Sequence, residues 1–326
     1  MNLASRATAI TDRMGNSLTG ILCLVTGIFV FSLQDLIIKL LSGTYTVHEL
    51  LVFRSLGALP FFVWLAHLDG GLRDLLTPRW PALLGRGGVL FFSHTFYYMG
   101  IAALPLATNV TLNLTAPLFI TILAALVLKE KVAVRRWSAI IAGFIGVLII
   151  VQPGSGVFDW ASVLPICSGL TYAVTQMFTR VLGVREKATT LAFYGNLAFL
   201  LGALISGALF ASGAFATGTH KSLGFLLRAW TWPSERDLLL MMLCALVAVA
   251  GMLLLTQAYR VAPPPVVAAF EYTSLIWSVL YGYLIWHELP SPTTWLGILV
   301  IVCAGLYVIH RERQLKIARD RAKDAV

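Results

Sequence analysis

Apolar runs of about twenty residues follow one another along almost the whole chain, each of the length that crosses a bilayer as a helix. Bounded by Pro, Gly and charge clusters, they fall near 18–40, 48–67, 82–104, 106–128, 135–152, 160–179, 188–210, 238–260, 264–286 and 293–310. Ten such helices leave no stretch long enough for a soluble catalytic domain, a nucleotide-binding domain or a DNA-binding module. Composition agrees: 12% of residues are charged, about half of the ~25% usual in soluble domains. The expected fold class is an all-α integral membrane protein with ten transmembrane helices. The polar segment 1–17 precedes a first run too long for a signal-peptide core, so that run is expected to stay attached as the first span.

The net charge of +9 is topological. With an even number of spans both termini share a side, and 19 of the 24 Lys and Arg then fall on that side. They occupy the N-tail, the loops around Arg73 to Arg86, Lys129 to Arg136 and Arg180 to Lys187, Arg260, and the tail from Arg311. The opposite side holds Lys221, Arg228 and Arg236, while Lys39 and Arg54 lie within spans. The positive-inside rule puts both termini in the cytoplasm. The basic tail 311–326 is expected against an anionic lipid surface, and no nucleic-acid partner is expected.

Sliding the chain along itself without a gap superposes Pro105 on Pro263, Thr115 on Thr273, Leu126 on Leu284, Glu130 on Glu288 and Trp137 on Trp295. The fourth and fifth spans thus recur as the ninth and tenth. The repeat unit is five helices, an odd number, so the two halves, 18–152 and 160–310, face opposite ways across the bilayer. Inverted repeats of this kind are a hallmark of secondary transporters, with the substrate site near the midplane where the halves meet.

These features resemble the drug/metabolite transporter superfamily, in particular its EamA-type ten-helix members, over residues 18–310. The resemblance rests on the two five-helix halves, the junctions Leu104-Pro105-Leu106-Ala107-Thr108 and Ala262-Pro263-Pro264-Pro265, the glutamates Glu130 and Glu288, and Trp137 and Trp295. The motifs from Phe31 to Gly43 and from His48 to Leu56 are similar to those of a bacterial riboflavin-uptake subgroup. Related first-helix motifs occur in members assigned to S-adenosylmethionine or amino acids. The resemblance implies a multi-pass carrier of a bacterial inner membrane for a small metabolite, with riboflavin uptake first and S-adenosylmethionine or an amino acid as the alternative.

Ionisable side chains within spans are costly and mark functional candidates. Asp35 and Arg54 lie at similar depth, so they either line the cavity as carboxylate and counter-ion or pin two helices together. Lys39, four residues beyond Asp35, is placed either to pair with it or to snorkel. In the ninth span Glu271, Ser274, Ser278 and Tyr281 share one arc of the helix beside Trp277, a surface able to stack on a flat ring and bond its edges. Asn109 and Asn113, one turn apart, and His94 and Tyr97 add donors to the same cavity, or serve helix packing. Gln34 and Gln176 occupy comparable places in the first and sixth spans. Glu130 and Glu288 sit at helix ends, where fixing a loop or cap is the expected role.

No G-x-x-x-x-G-K-[ST], H-E-x-x-H or G-x-S-x-G is present, so neither ATP hydrolysis, an intramembrane metalloprotease nor a serine hydrolase is supported. An intramembrane enzyme acting on lipid stays a remote alternative, and neither cofactor nor metal is expected. Cys23, Cys167, Cys244 and Cys303 are far apart in apolar runs, the setting of reduced packing residues.

Overall fold

The computed structural model describes residues 3–127, 134–155, 158–182, 186–216, 220–261 and 268–324. Twelve α-helices are defined among them, and no strand: α1 (Leu3–Leu41), α2 (Val47–Leu68), α3 (Trp80–Ala103), α4 (Leu106–Asn113), α5 (Ala116–Val127), α6 (Val134–Val151), α7 (Val163–Leu182), α8 (Ala188–Phe210), α9 (Lys221–Leu227), α10 (Glu235–Val261), α11 (Ser274–Trp286) and α12 (Pro292–Asp324). Five stretches are long and apolar enough to cross a membrane: Leu18–Leu41, Val47–Leu68, Leu106–Val127, Thr189–Phe210 and Glu235–Leu255. Trp137–Val151 and Pro292–Val308 are shorter apolar helices. Ile205, Leu239 and Leu299 are exposed, an outward apolar surface that suits lipid and that a soluble protein avoids.

Local chemistry sets several boundaries. α2 opens with a capping box, in which Thr46 Oγ1 accepts from the Glu49 amide and Glu49 Oε2 accepts from the Thr46 amide. The fourth apolar run, expected as one helix over 106–128, is divided between α4 and α5. Pro117 has no N–H to offer the Asn113 carbonyl, and α4 stops at that residue. The ninth run, expected as one helix over 264–286, begins within the described residues as a 3-10 turn, Ala268–Thr273, before α11. Both tails extend their neighbouring helices, and the long connection between the seventh and eighth runs contains α9. Arg86, expected in a loop, is inside α3, because that helix starts at Trp80 with Pro81 in its first turn. Glu130 and the Pro263 to Pro265 junction lie outside the described residues.

α1 packs on α10, α3 on α7 and α8, α2 on α8 and α10, α5 on α7, α4 on α11, and α6 on α12. In lipid such contacts depend on close approach at small residues. At the α6–α12 crossing a Cβ on Gly297 would lie 2.9 Å from the Gly146 carbonyl, and Phe31 of α1 fills the space beside Gly251 of α10. The largest buried cluster holds Leu51, Tyr98, Ile101, Phe225 and Met241, so α3 runs through the middle of the bundle.

Candidate functional site

α1, α4 and α11 line a partly open cavity of about 120 Å³, walled by Ile28, Phe31, Ser32, Asp35, Leu106, Val110, Ser274 and Ser278. Of the side chains expected there, Asp35, Ser274 and Ser278 form its wall. The two serine hydroxyls bond the Glu271 and Leu275 carbonyls of the preceding turn at 2.8 and 3.0 Å, leaving their oxygens able to accept.

Asp35 and Arg54 do not form an ion pair, among the described residues or with each other. Two consecutive tyrosines of α3 stand between them. Tyr97 donates its hydroxyl to Asp35 Oδ2 at 2.8 Å, while the Tyr98 oxygen accepts from Gln34 Nε2 at 2.7 Å and from Arg54 at 3.0 Å. The Arg54 guanidinium also lies 4.9 Å from the centre of the Phe199 ring, a cation–π arrangement. His94 packs its ring on Tyr98 and Phe199 and holds the Leu90 carbonyl through Nδ1. Asn109 is fully buried and donates to the Tyr97 carbonyl at 3.2 Å, fixing the helix segment that presents both tyrosines.

Trp277 packs against Phe29 with ring centroids 4.7 Å apart and lies nearly parallel to Tyr281, at 6.4 Å and 27°. Trp277 Nε1, the Tyr281 hydroxyl, Gln34 Oε1 and Asn113 Oδ1 are buried without a hydrogen-bond partner among the described residues. Gln176 and Glu271 belong to a separate group around Tyr172. Nearby, Arg86 donates to Thr179 at 2.7 Å, a link no loop placement of Arg86 anticipates.

Lys39 does not pair with Asp35. It reaches Glu288 Oε2 at 2.6 Å, while α12 is capped by Ser291, whose Oγ accepts from the Thr294 amide. Of the loop or cap role expected of Glu288, the cap of α12 falls to Ser291, and Glu288 pairs with Lys39 from the turn that follows α11. Sequence reasoning missed Tyr98, Ser32, Tyr172 and this pair. Tyr98 was adjacent to an expected residue, but neighbours on a helix point about 100° apart and nothing in one sequence says which faces the site.

A helix bundle with apolar outward faces and a small, mostly apolar cavity bearing one carboxylate on its wall suits a membrane carrier. The model of the EamA-like transporter family matches residues 18–152 and again 159–310, and the chain belongs to that family. It is similar to the S-adenosylmethionine uptake transporter of Rickettsia prowazekii (strain Madrid E), at 25% identity over 94% of this chain and 97% of that one. It is 32% identical to the riboflavin transporter of Rhizobium johnstonii over 65% of each chain, and 27% identical to a pseudopaline exporter of Pseudomonas aeruginosa over 88% of this chain and 95% of that one. A solved crystal structure shares the fold with a TM-score of 0.61 at 16% identity, covering 91% of this chain and 97% of that chain.

Proposed function

We propose that the chain imports a small flat-ringed metabolite, riboflavin first, across a bacterial inner membrane by alternating access. Two inverted five-helix halves, 18–152 and 160–310, move against each other, with the tails 1–17 and 311–326 in the cytoplasm. The observation that carries this reading is the cavity wall itself, built by α1 and α4 from the first family segment and α11 from the second. Helix pairing supports the repeat. Exchanging each helix for its counterpart in the other half turns α1–α10 into α7–α3 and α2–α10 into α8–α3, and both members of each exchange are packed pairs. The divided fourth run and the ninth run with its 3-10 start are the discontinuous helices that such carriers place at their sites. The distribution of Lys and Arg supports the orientation.

In this reading Trp277 and Tyr281 stack on the ring, and Gln34, Asn109, Asn113, Arg54, His94 and Tyr97 bond its edges and hydroxylated chain. Ser274, Ser278, Gln176 and Glu271 complete the path. A cavity of about 120 Å³ is smaller than the ~300 Å³ at which ligand pockets begin, so the helices part to admit substrate. Labelled riboflavin uptake into a riboflavin-requiring bacterium lacking its own carrier tests the assignment. Saturable uptake above the empty vector is expected, and its loss with an uncoupler would make the process proton-linked. A well-inserted protein giving no uptake removes riboflavin.

S-adenosylmethionine is the second reading, favoured by Asp35, a carboxylate on the cavity wall that among the described residues accepts from a phenol and no cation. Neutralising it as Asp35→Asn separates the two: transport of the cationic substrate falls by at least about a hundredfold when a buried partner charge is lost, whereas a neutral flavin keeps measurable binding.

A further inference from the structure

Three helix ends converge one turn beyond the cavity residue Asp35. Lys39 lies one turn beyond Asp35 on α1, close to the last residues of α3 and of α11. Its ammonium donates to Glu288 Oε2 at 2.6 Å and to the Leu104 carbonyl at 3.2 Å, and sits 4.6 Å from the centre of the Trp286 ring. Lys39 is 9% exposed and Glu288 32%. Glu288 is itself held in place: His287 takes a left-handed φ of 54°, and the Glu288 amide closes onto the Gly282 carbonyl at 2.9 Å, a helix-end turn that fixes where the carboxylate points.

We propose that Lys39 and Glu288 form a lock across the periplasmic mouth of the cavity, parting each time substrate enters, and are positioning residues of the transport cycle. The proposal rests on the alternating-access reading and its orientation. The pair joins the first family segment to the second, so it cannot survive a separation of the halves at this end. The cap of α12 does not need it, since Ser291 supplies that cap. An ion pair also suits a gate better than an apolar plug. Its closed form gains Coulomb energy against a desolvation cost, and its open form regains hydration of both charges, so the two states stay near balance. An apolar seal of equal area loses on opening and recovers nothing.

The test is thiol accessibility at the cavity wall. Ser278→Cys is labelled in intact cells with a membrane-impermeant maleimide, and modification at residue 278 is read by peptide mass spectrometry. Slow labelling is expected with the lock intact. Adding Glu288→Gln or Lys39→Met should raise the rate about tenfold, the effect of freeing a closed state held by one partly buried ion pair. The exchanged pair Lys39→Glu with Glu288→Lys should recover much of the protection, which a merely structural role would not give. A Glu288→Gln protein with unchanged melting and unchanged labelling overturns the proposal, as does a rise confined to inverted vesicles. Labelling needs no substrate, so failure of riboflavin or S-adenosylmethionine uptake in the same cells tells against the substrate assignment and leaves the lock standing.

Discussion

Two lysines, Lys39 and Lys187, close on carboxylates at nearly the same distance, 2.6 Å to Glu288 and 2.7 Å to Asp74. They lie near opposite ends of α2, and their surroundings differ. Both pairs join the family's first segment to its second, but Lys39 is 9% exposed and lies beneath Trp286. Lys187 is 47% exposed, at the start of α8, and binds Asp74 and the Asp69 carbonyl in a connection on the same side of the bundle. The lesson is that contact distance ranks neither pair. Burial raises the cost of breaking the first, because removing one partner strands a charge that water cannot reach freely, while the second dissolves into solvent at little cost.

The largest effect is expected where the stranded charge is deepest. Glu288→Leu should lower stability by about 2 kcal/mol, below the full penalty for a buried pair because Glu288 is partly wet. Adding Lys39→Met should return more than half of that loss, a coupling that a thermal-denaturation double-mutant cycle in detergent measures. Equal losses from the single and double variants would put the cost in packing against Trp286 and erase the contrast between the two lysines.

A smaller effect, about 1–2 kcal/mol, is expected from Tyr98→Phe, which removes the oxygen accepting from both Gln34 and Arg54 and leaves two buried donors unpaired. Arg54 retains the Phe199 face, so this cation is stranded less completely than Lys39 would be. Uptake should fall with it if the tyrosines hold Asp35 and Arg54 apart for substrate. Tyr98→Phe with full stability and full uptake would reduce the hydroxyl to a bystander.

How much of this was legible in sequence depends on range. The apolar runs, the matched fourth and ninth runs, the intramembrane carboxylate Asp35 and the polar arc of the ninth run are local or periodic features, and they carried the class of protein and three residues that line the cavity, Asp35, Ser274 and Ser278. The division at Pro117 was readable from the proline itself, yet hydropathy averaged across it. Arg86 counts with the loop cations at the edge of a run that starts near 82, yet it lies inside α3, where Gly87 packs closely against Ala198 of α8. The partners of Asp35, Arg54 and Lys39 depend on helix rotation and on residues as distant as Glu288, and one chain's periodicity fixes neither.

The smallest effect is expected at Lys187, and it sharpens the comparison through pH and salt. The Asp74 carboxylate raises the Lys187 pKa above its ordinary 10.5, with the Asp74 hydrogen bond as the largest cause. A raised lysine value means the contribution is complete below the unfolded-state pKa and is lost as pH climbs through the folded-state value. The pair should therefore hold across the neutral range and fade only in strong alkali. Being exposed, it is also screened by salt. Lys187→Ala should shift the melting temperature by no more than about 1 °C in moderate salt. The same measurement on Lys39→Met should show a larger shift with little dependence on salt. Matching shifts and matching salt dependence in the two variants would mean that water reaches Lys39 as freely as Lys187, and a lysine so hydrated could not hold the halves together at that end.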